Sequence, residues 1–354
     1  MSVFKNRKNT SNTYFIAEIG SNFDGSLSKA KDLIWLAKEC KAQAVKFQHY
    51  TAQSLVSDFE FSRLVNQSHQ SNWSKSVFDT YKDAELNYKW TKELSMEAEK
   101  ADIDFFTSPY SFELADYVEK HVFAFKIGSG DISWLDFITH LAKKEKPILL
   151  ATGASSIYEV KQAVKTVLAF NNDLTLMQCN TNYSNQIDNR NYINLNVLDY
   201  YANHFPELTL GLSDHMPNYL SVLGAVAKGA RVIEKHFTDS NNNRGPDHEF
   251  AMNPANWLEM IEVTRELEFS LGDGIKKVEI NEQDARIVQR RSICAKKTIK
   301  AGSTVNESDF LYLRPAIDGS YHPYEKDKLI GKTVFKDVSP YQSFTKNMFI
   351  ENNE

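Results

Sequence analysis

The chain's strongest constraint is an eightfold alternation. Short apolar runs recur between Tyr14 and His236: YFIAEI, AVKFQ, DFFTS, FAFKIG, PILLAT, LTLMQC, LTLGLS and RVIEKH. Amphipathic segments lie between them, among them SLSKAKDLIWLAKEC, TKELSMEAEKA, SIYEVKQAVKTVLAF and NYLSVLGAVAKGA. Strands joined by helix-length crossovers pair in parallel, because a parallel neighbour cannot be reached by a tight turn. Eight such units in roughly 250 residues predict an α/β fold, a (β/α)8 TIM barrel. An open doubly wound sheet is the alternative, but its glycine-rich turn after the first strand is missing. IGSNFDG offers only Gly20 and Gly25.

Residues 49–86, His49 to Leu86, form an insertion after the second strand, rich in Ser, Gln and Asn. Long strand-to-helix loops lie on the catalytic face of barrels, so a lid or a partner contact is expected there, with a decorative loop as the alternative. The alternation ends near Phe269. The polar stretch GDGIKKVEINEQDARIVQRR reads as a linker. Short alternating runs from Ser292, with a KAGS turn and a NESDF helix start, read as a small β-rich module. The expected domains are a barrel over 1–270, a linker over 271–290 and a module over 291–354. So small a module has a thin core and is expected to pack on the barrel or on a second subunit.

Composition excludes several classes. The formal net charge of −5 argues against a nucleic-acid partner, since phosphate backbones attract basic faces. Lys5, Arg7 and Lys8 read as a solvated tail. No apolar run approaches the ~20 residues of a membrane span, and no export signal is read. The three cysteines, Cys40, Cys179 and Cys294, lack metal spacing. A reducing, cytoplasmic location without disulfides is expected.

Strand ends in a barrel face one mouth, and alternation decides which side chains share it. Lys46 shares a face with Gln48, Lys126 precedes a Gly-Ser-Gly turn, Ser213 shares a face with His215, and Glu234 with His236. A lysine on an apolar strand is costly unless paired. Two at one mouth, with Ser129 and the Gly128–Gly130 backbone, would bind an anion. Alternatively, each lysine pairs with a structural carboxylate such as Glu18 or Asp131. His215 and His236 end neighbouring strands about 4.8 Å apart and could share a divalent ion with open positions. The bland reading is two hydrogen-bonded core histidines. Glu18 and Asp247 could orient hydroxyls or move protons, or could be solvated or paired with the lysines.

Together these motifs resemble the sialic acid synthase family, which makes N-acetylneuraminate and related nonulosonates. The matching pieces are IAEIGSNFDGSLSKAKDLI, AVKFQ, FFTSPYS, FKIGSGDI, PILLATGAS, QCNTNYS, GLSDH and VIEKHFTDSNNNRGPDHEFAMNP. RRSICAKKTIKAGSTVNESDFLYLRP resembles the family's C-terminal antifreeze-like (SAF) module. The resemblance implies condensation of phosphoenolpyruvate with an open-chain N-acetylated amino sugar, with loss of phosphate. The sugar would be N-acetylmannosamine or a diacetamido-dideoxy hexose. The resemblance makes His215 and His236 metal ligands, usually for Mn2+, with Mg2+ or Co2+ as alternatives. Lys46, Ser108, Lys126, Ser129 and Ser213 match phosphoenolpyruvate contacts, and Asn180 and Thr181 sit where another is expected. Glu18, Gln48, Tyr183 and Asp247 match positions facing the sugar or the metal-bound water. Asp131 stands where the family has Glu and is the candidate proton manager. Arg314 resembles an arginine that reaches the sugar's N-acetyl group in the partner subunit, which implies a domain-swapped homodimer.

Some residues depart from the family pattern. Phe23 and Gln178 replace histidines, Ser184 replaces a proline, Ala151 lacks a hydroxyl, and Asp131 is one methylene short. These departures bear on which sugar is used. Two other readings stay open: a pyruvate aldolase with a Schiff base on Lys46 or Lys126, and a carbohydrate-binding protein without turnover. His248 has a place in the GPDH motif but no role that the sequence assigns.

Overall fold

A computed structural model describes residues 4, 12–64, 70, 73–183 and 187–349. Lys5, Arg7, Lys8 and Ser184 lie outside the described residues. The chain divides into two compact units, Met1–Gly272 and Asp273–Glu354.

In the first unit, eight parallel strands close into a barrel. They are β1 (Tyr14–Glu18), β2 (Ala44–His49), β3 (Asp104–Pro109), β4 (Phe125–Ile127), β5 (Ile148–Ala151), β6 (Leu174–Cys179), β7 (Thr209–Asp214) and β8 (Val232–His236). Each falls on one of the eight apolar runs. Every residue of β8 is buried, as expected where a strand has side-chain layers on both faces. The register sets the mouth. Glu18 lies opposite Lys46 on one side and opposite His236 on the other, where β1 meets β8. Gln48 lies opposite Ser108, and Ser213 opposite Glu234.

Helices α1 (Leu27–Glu39), α2 (Ala52–Leu55), α3 (Asp58–Phe61), α4 (Val77–Asp83), α5 (Thr91–Lys100), α6 (Phe112–Val118), α7 (Leu135–Ala142), α8 (Ile157–Leu168), α9 (Val197–His204), α10 (Leu220–Ala227) and α11 (Pro254–Leu271) complete this unit. The crossover helices bury one stripe each. α1 buries Ala30, Leu33, Ile34 and Ala37, and Ser26 caps its first turn. α8 buries Val160, Ala163, Val164 and Val167 behind a capping box of Ser156 and Glu159. The 49–86 insertion holds the short helices α2, α3 and α4.

The second unit carries α12 (Gln283–Val288) and an antiparallel pair, β9 (Ser292–Ala295) and β10 (Phe310–Leu313). Its core is a separate cluster that includes Ile293, Phe310, Leu329, Val334 and Phe344. The segment read as a linker belongs to this unit and leaves Ile275, Ile280, Ile287 and Val288 exposed. The three cysteines are buried and unbonded. No helix among the described residues is long and apolar enough to cross a membrane.

Candidate active site

The two lysines meet two carboxylates inside the barrel. Lys46 Nζ lies 2.6 Å from Glu18 Oε2 and 3.7 Å from Glu234 Oε1, and Lys126 Nζ lies 2.9 Å from Glu234 Oε1. Lys46 also donates to Ser108 Oγ at 3.3 Å, and Lys126 to Ser213 Oγ at 3.4 Å. Gln48 Nε2 donates to Glu18 Oε1 at 2.6 Å. Burial opposes the charge on Lys46, but Glu18 and then Glu234 outweigh it and hold the ammonium above its usual range. Burial pushes the Glu234 carboxyl up, but Lys126 and Lys46 bring it down to about 2. The carboxylate pairing weighed from sequence is therefore present for both lysines. Lys46 takes Glu18, and Lys126 takes Glu234 rather than Asp131. Glu234 was visible in the sequence only as the residue sharing a face with His236.

Above this cluster the two strand-end histidines face each other, with ring centroids 5.5 Å apart. The Asn180 carbonyl accepts a hydrogen bond from His215 Nδ1 at 2.8 Å, which leaves Nε2 with the lone pair. His236 Nδ1 is buried without a hydrogen-bond partner, 3.8 Å from Asp247 Oδ2. Burial, then the proximity of His236, push His215 down to about 3, so its ring is neutral, the form that binds metals. Two facing imidazoles, one with an orphaned nitrogen, fit a divalent cation whose other ligands are water or substrate oxygens. Among the described residues no group of three or more His, Cys, Asp or Glu side chains is placed to hold an ion, so the pair would carry it. The Tyr183 ring packs 4.1 Å from that of His215, and Phe250 4.9 Å from that of His236.

The loop after β8 is tied to the loop after β1. Asp247 Oδ2 accepts from Ser21 N and Ser21 Oγ, both at 2.9 Å. Gly20 makes room for this with φ +54°, and a Cβ there would stand 2.5 Å from Asp247 Oδ2. His248 is buried between Thr238 Oγ1 at 2.7 Å and Asp24 Oδ1 at 2.9 Å. It braces the loop. Lys235, on the opposite face of β8 from His236, pairs with Asp214 at 2.5 Å and donates to the Met216 carbonyl.

A cavity of about 410 Å3 opens over the mouth. Gln48, Ser129, Asp131, Thr181, His236 and Asp247 line its inner side. Burial raises the Asp131 carboxyl to about 6. Ser129 Oγ accepts from Gly153 N at 2.9 Å, and a Cβ at Gly153 would strike Thr181, Ser129 and Cys179. Asn180 turns its side chain to the Tyr192 carbonyl and meets His215 through its own backbone. Arg314 is exposed in the second unit. Phe23 is buried beside Phe47, and Gln178 donates to the Ile193 carbonyl, so both departures serve packing. The insertion supplies the cavity's outer wall, which the sequence left undecided between lid and decoration.

Residues 33–276 match the model of the NeuB family. The N,N'-diacetyllegionaminic acid synthase of Campylobacter jejuni is 34% identical over 92% of this chain and 96% of its own. The human N-acetylneuraminate-9-phosphate synthase is 31% identical over 92% of this chain and 89% of its own. Among solved structures, an N-acetylneuraminic acid synthetase from Leptospira borgpetersenii superposes with a TM-score of 0.68 and 27% identity, covering 77% of this chain and 90% of that one. With its closed eight-stranded barrel and a family match over most of its length, the chain belongs to the NeuB family.

Proposed function

We propose that this protein condenses phosphoenolpyruvate with an open-chain N-acetylated amino sugar to a nonulosonic acid, releasing phosphate. The observation that carries the reading is the placement of two facing imidazoles above two buried lysines at one barrel mouth. Relatives named as synthases of N,N'-diacetyllegionaminic acid, pseudaminic acid and N-acetylneuraminate-9-phosphate support the product class. Lys46 and Lys126, with Ser108, Ser129, Thr181 and Ser213, would hold the carboxylate and phosphate of phosphoenolpyruvate. To do so the substrate must compete with Glu18 and Glu234 for the ammonium groups. A divalent cation on His215 and His236, Mn2+ or alternatively Mg2+ or Co2+, would supply Lewis-acid polarisation of the sugar aldehyde. C3 of the enol attacks the aldehyde carbon, water adds at C2, and the C–O bond to phosphate breaks. Asp131, whose carboxyl burial raises to about 6, would take the proton of that water. Glu18, Gln48, Tyr183 and Asp247 would orient the sugar, and we place Arg314 of a swapped second copy at its N-acetyl group.

A Schiff-base aldolase is disfavoured because both lysines sit in buried ion pairs, and an ammonium is not a nucleophile. Incubation with phosphoenolpyruvate, Mn2+ and a panel of N-acetylated sugars should release phosphate and yield a 2-keto acid seen by mass spectrometry. His215→Ala and His236→Ala should each abolish turnover and metal retention. Borohydride trapping of pyruvate on the protein would favour the aldolase instead, and sugar binding without turnover would favour a non-catalytic role.

A further inference from the structure

The cavity over the mouth has two chemically unlike sides. The inner side carries Asp131, Asp247, His236, Gln48 and Ser129. The outer side comes from the insertion: Leu55 ending α2, Val56 after it, Phe61 ending α3, Trp73, and Tyr81 on α4. Tyr81 packs edge-on against Tyr50 at 5.6 Å and against Trp73 at 5.8 Å, which fixes the wall as one aromatic surface. Burial raises the phenols of Tyr50 and Tyr81, so both stay neutral. Among its described residues the insertion also carries charged groups. Arg63 lies over the Phe59 ring at 3.6 Å, Lys75 pairs with Asp83, and Glu85 accepts from the Ala52 amide at 2.6 Å. None of them lines the cavity.

We infer that this wall selects the far end of the sugar: it takes an unphosphorylated, apolar terminus bearing at least one methyl in place of a hydroxyl. The inference rests on the condensation reading above. An open six-carbon chain with its aldehyde at the imidazoles extends outward, and its last carbons meet the insertion. A phosphate dianion there would lose hydration against aromatic and aliphatic carbon, with no Lys or Arg of the described residues lining that wall to replace it. A deoxy terminus or an N-acyl methyl would instead remove apolar surface from water on both partners. Two relatives' names distinguish a phosphorylated product from a diacetamido one, and the wall places this chain with the second kind.

The test measures phosphate release by the full chain with phosphoenolpyruvate and Mn2+ on three sugars. These are N-acetylmannosamine, its 6-phosphate, and a 2,4-diacetamido-2,4,6-trideoxyhexose. The trideoxy sugar should exceed N-acetylmannosamine in kcat/KM by roughly 10-fold, the scale of one apolar-group discrimination. The 6-phosphate should fall below N-acetylmannosamine by on the order of 100-fold, reflecting an unpaired charge against apolar surface. Leu55 and Phe61 are half-buried, so charge can be introduced without opening the barrel core. Phe61→Lys or Leu55→Lys should narrow the gap between the trideoxy sugar and the 6-phosphate, leaving KM for phosphoenolpyruvate unchanged. Phe61→Leu should keep the wild-type order of preference. Turnover of the 6-phosphate equal to or above that of N-acetylmannosamine would overturn the inference while leaving the condensation intact. Absence of turnover with all three sugars would overturn both.

Discussion

At the scale of single residues, the site works by opposing charges in a confined space. Lys126 is the nearer of the two cations at Glu234, so Lys126→Met leaves that buried carboxylate with Lys46 alone, at 3.7 Å. We expect loss of phosphate release and a stability drop of about 3–5 kcal/mol in denaturant titration, the usual cost of breaking a buried pair from one side. Asp131 gives a pH signature. Its carboxyl titrates near 6 in the folded protein, above the usual carboxylate range, because burial disfavours its charge. As the proposed base it must be ionised, so kcat should climb with pH through about 6, and Asp131→Asn should flatten that limb while lowering the plateau. The stability sign runs the other way. A raised folded-state pKa contributes stability in acid that disappears as pH rises through 6.

At the scale of elements, helix α8 shows how much of the fold was legible from the residues alone. Its apolar stripe at Val160, Ala163, Val164 and Val167 follows the helical repeat, and Ser156 and Glu159 announce its start. Ser156→Ala should cost about 1 kcal/mol, read as a lowered melting temperature with unchanged turnover. The strands were equally readable, because each is a continuous apolar run buried on both faces. Partners across the barrel were harder to read. Alternation put Glu234 beside His236, but its pairing with Lys126 depends on strand register, which β4 and β8 acquire only through closure. The insertion was harder still. Its short helices α2, α3 and α4 carry no long periodic stripe, and its role depends on which cavity it happens to cover. His248 likewise needed the fold, since Asp24 lies 224 positions away in the chain.

At the scale of the whole molecule, the proposed exchange of C-terminal units between two copies is open to direct test. Ile280 is 92% exposed and its neighbours Ile275, Ile287 and Val288 are also uncovered, an apolar surface that a second copy could bury. Arg314→Ala and His236→Ala proteins should each be inactive. After denaturation and joint refolding, a trans-acting Arg314 should restore about a quarter of wild-type turnover, since half the dimers are mixed and each mixed dimer has one complete site. No recovery would mean that the arginine acts within its own chain or not at all.

The contact between Asp247 and Ser21 has a further consequence. It joins positions 226 apart in the chain, across the seam where the first strand meets the last. Lys46, Lys126 and Asp131, the proposed base, are all translated well before that seam can close. A ribosome-bound chain thus carries most of the chemical groups yet has no site until its eighth strand docks beside its first. Binding of phosphoenolpyruvate during synthesis would serve as a clock for barrel closure.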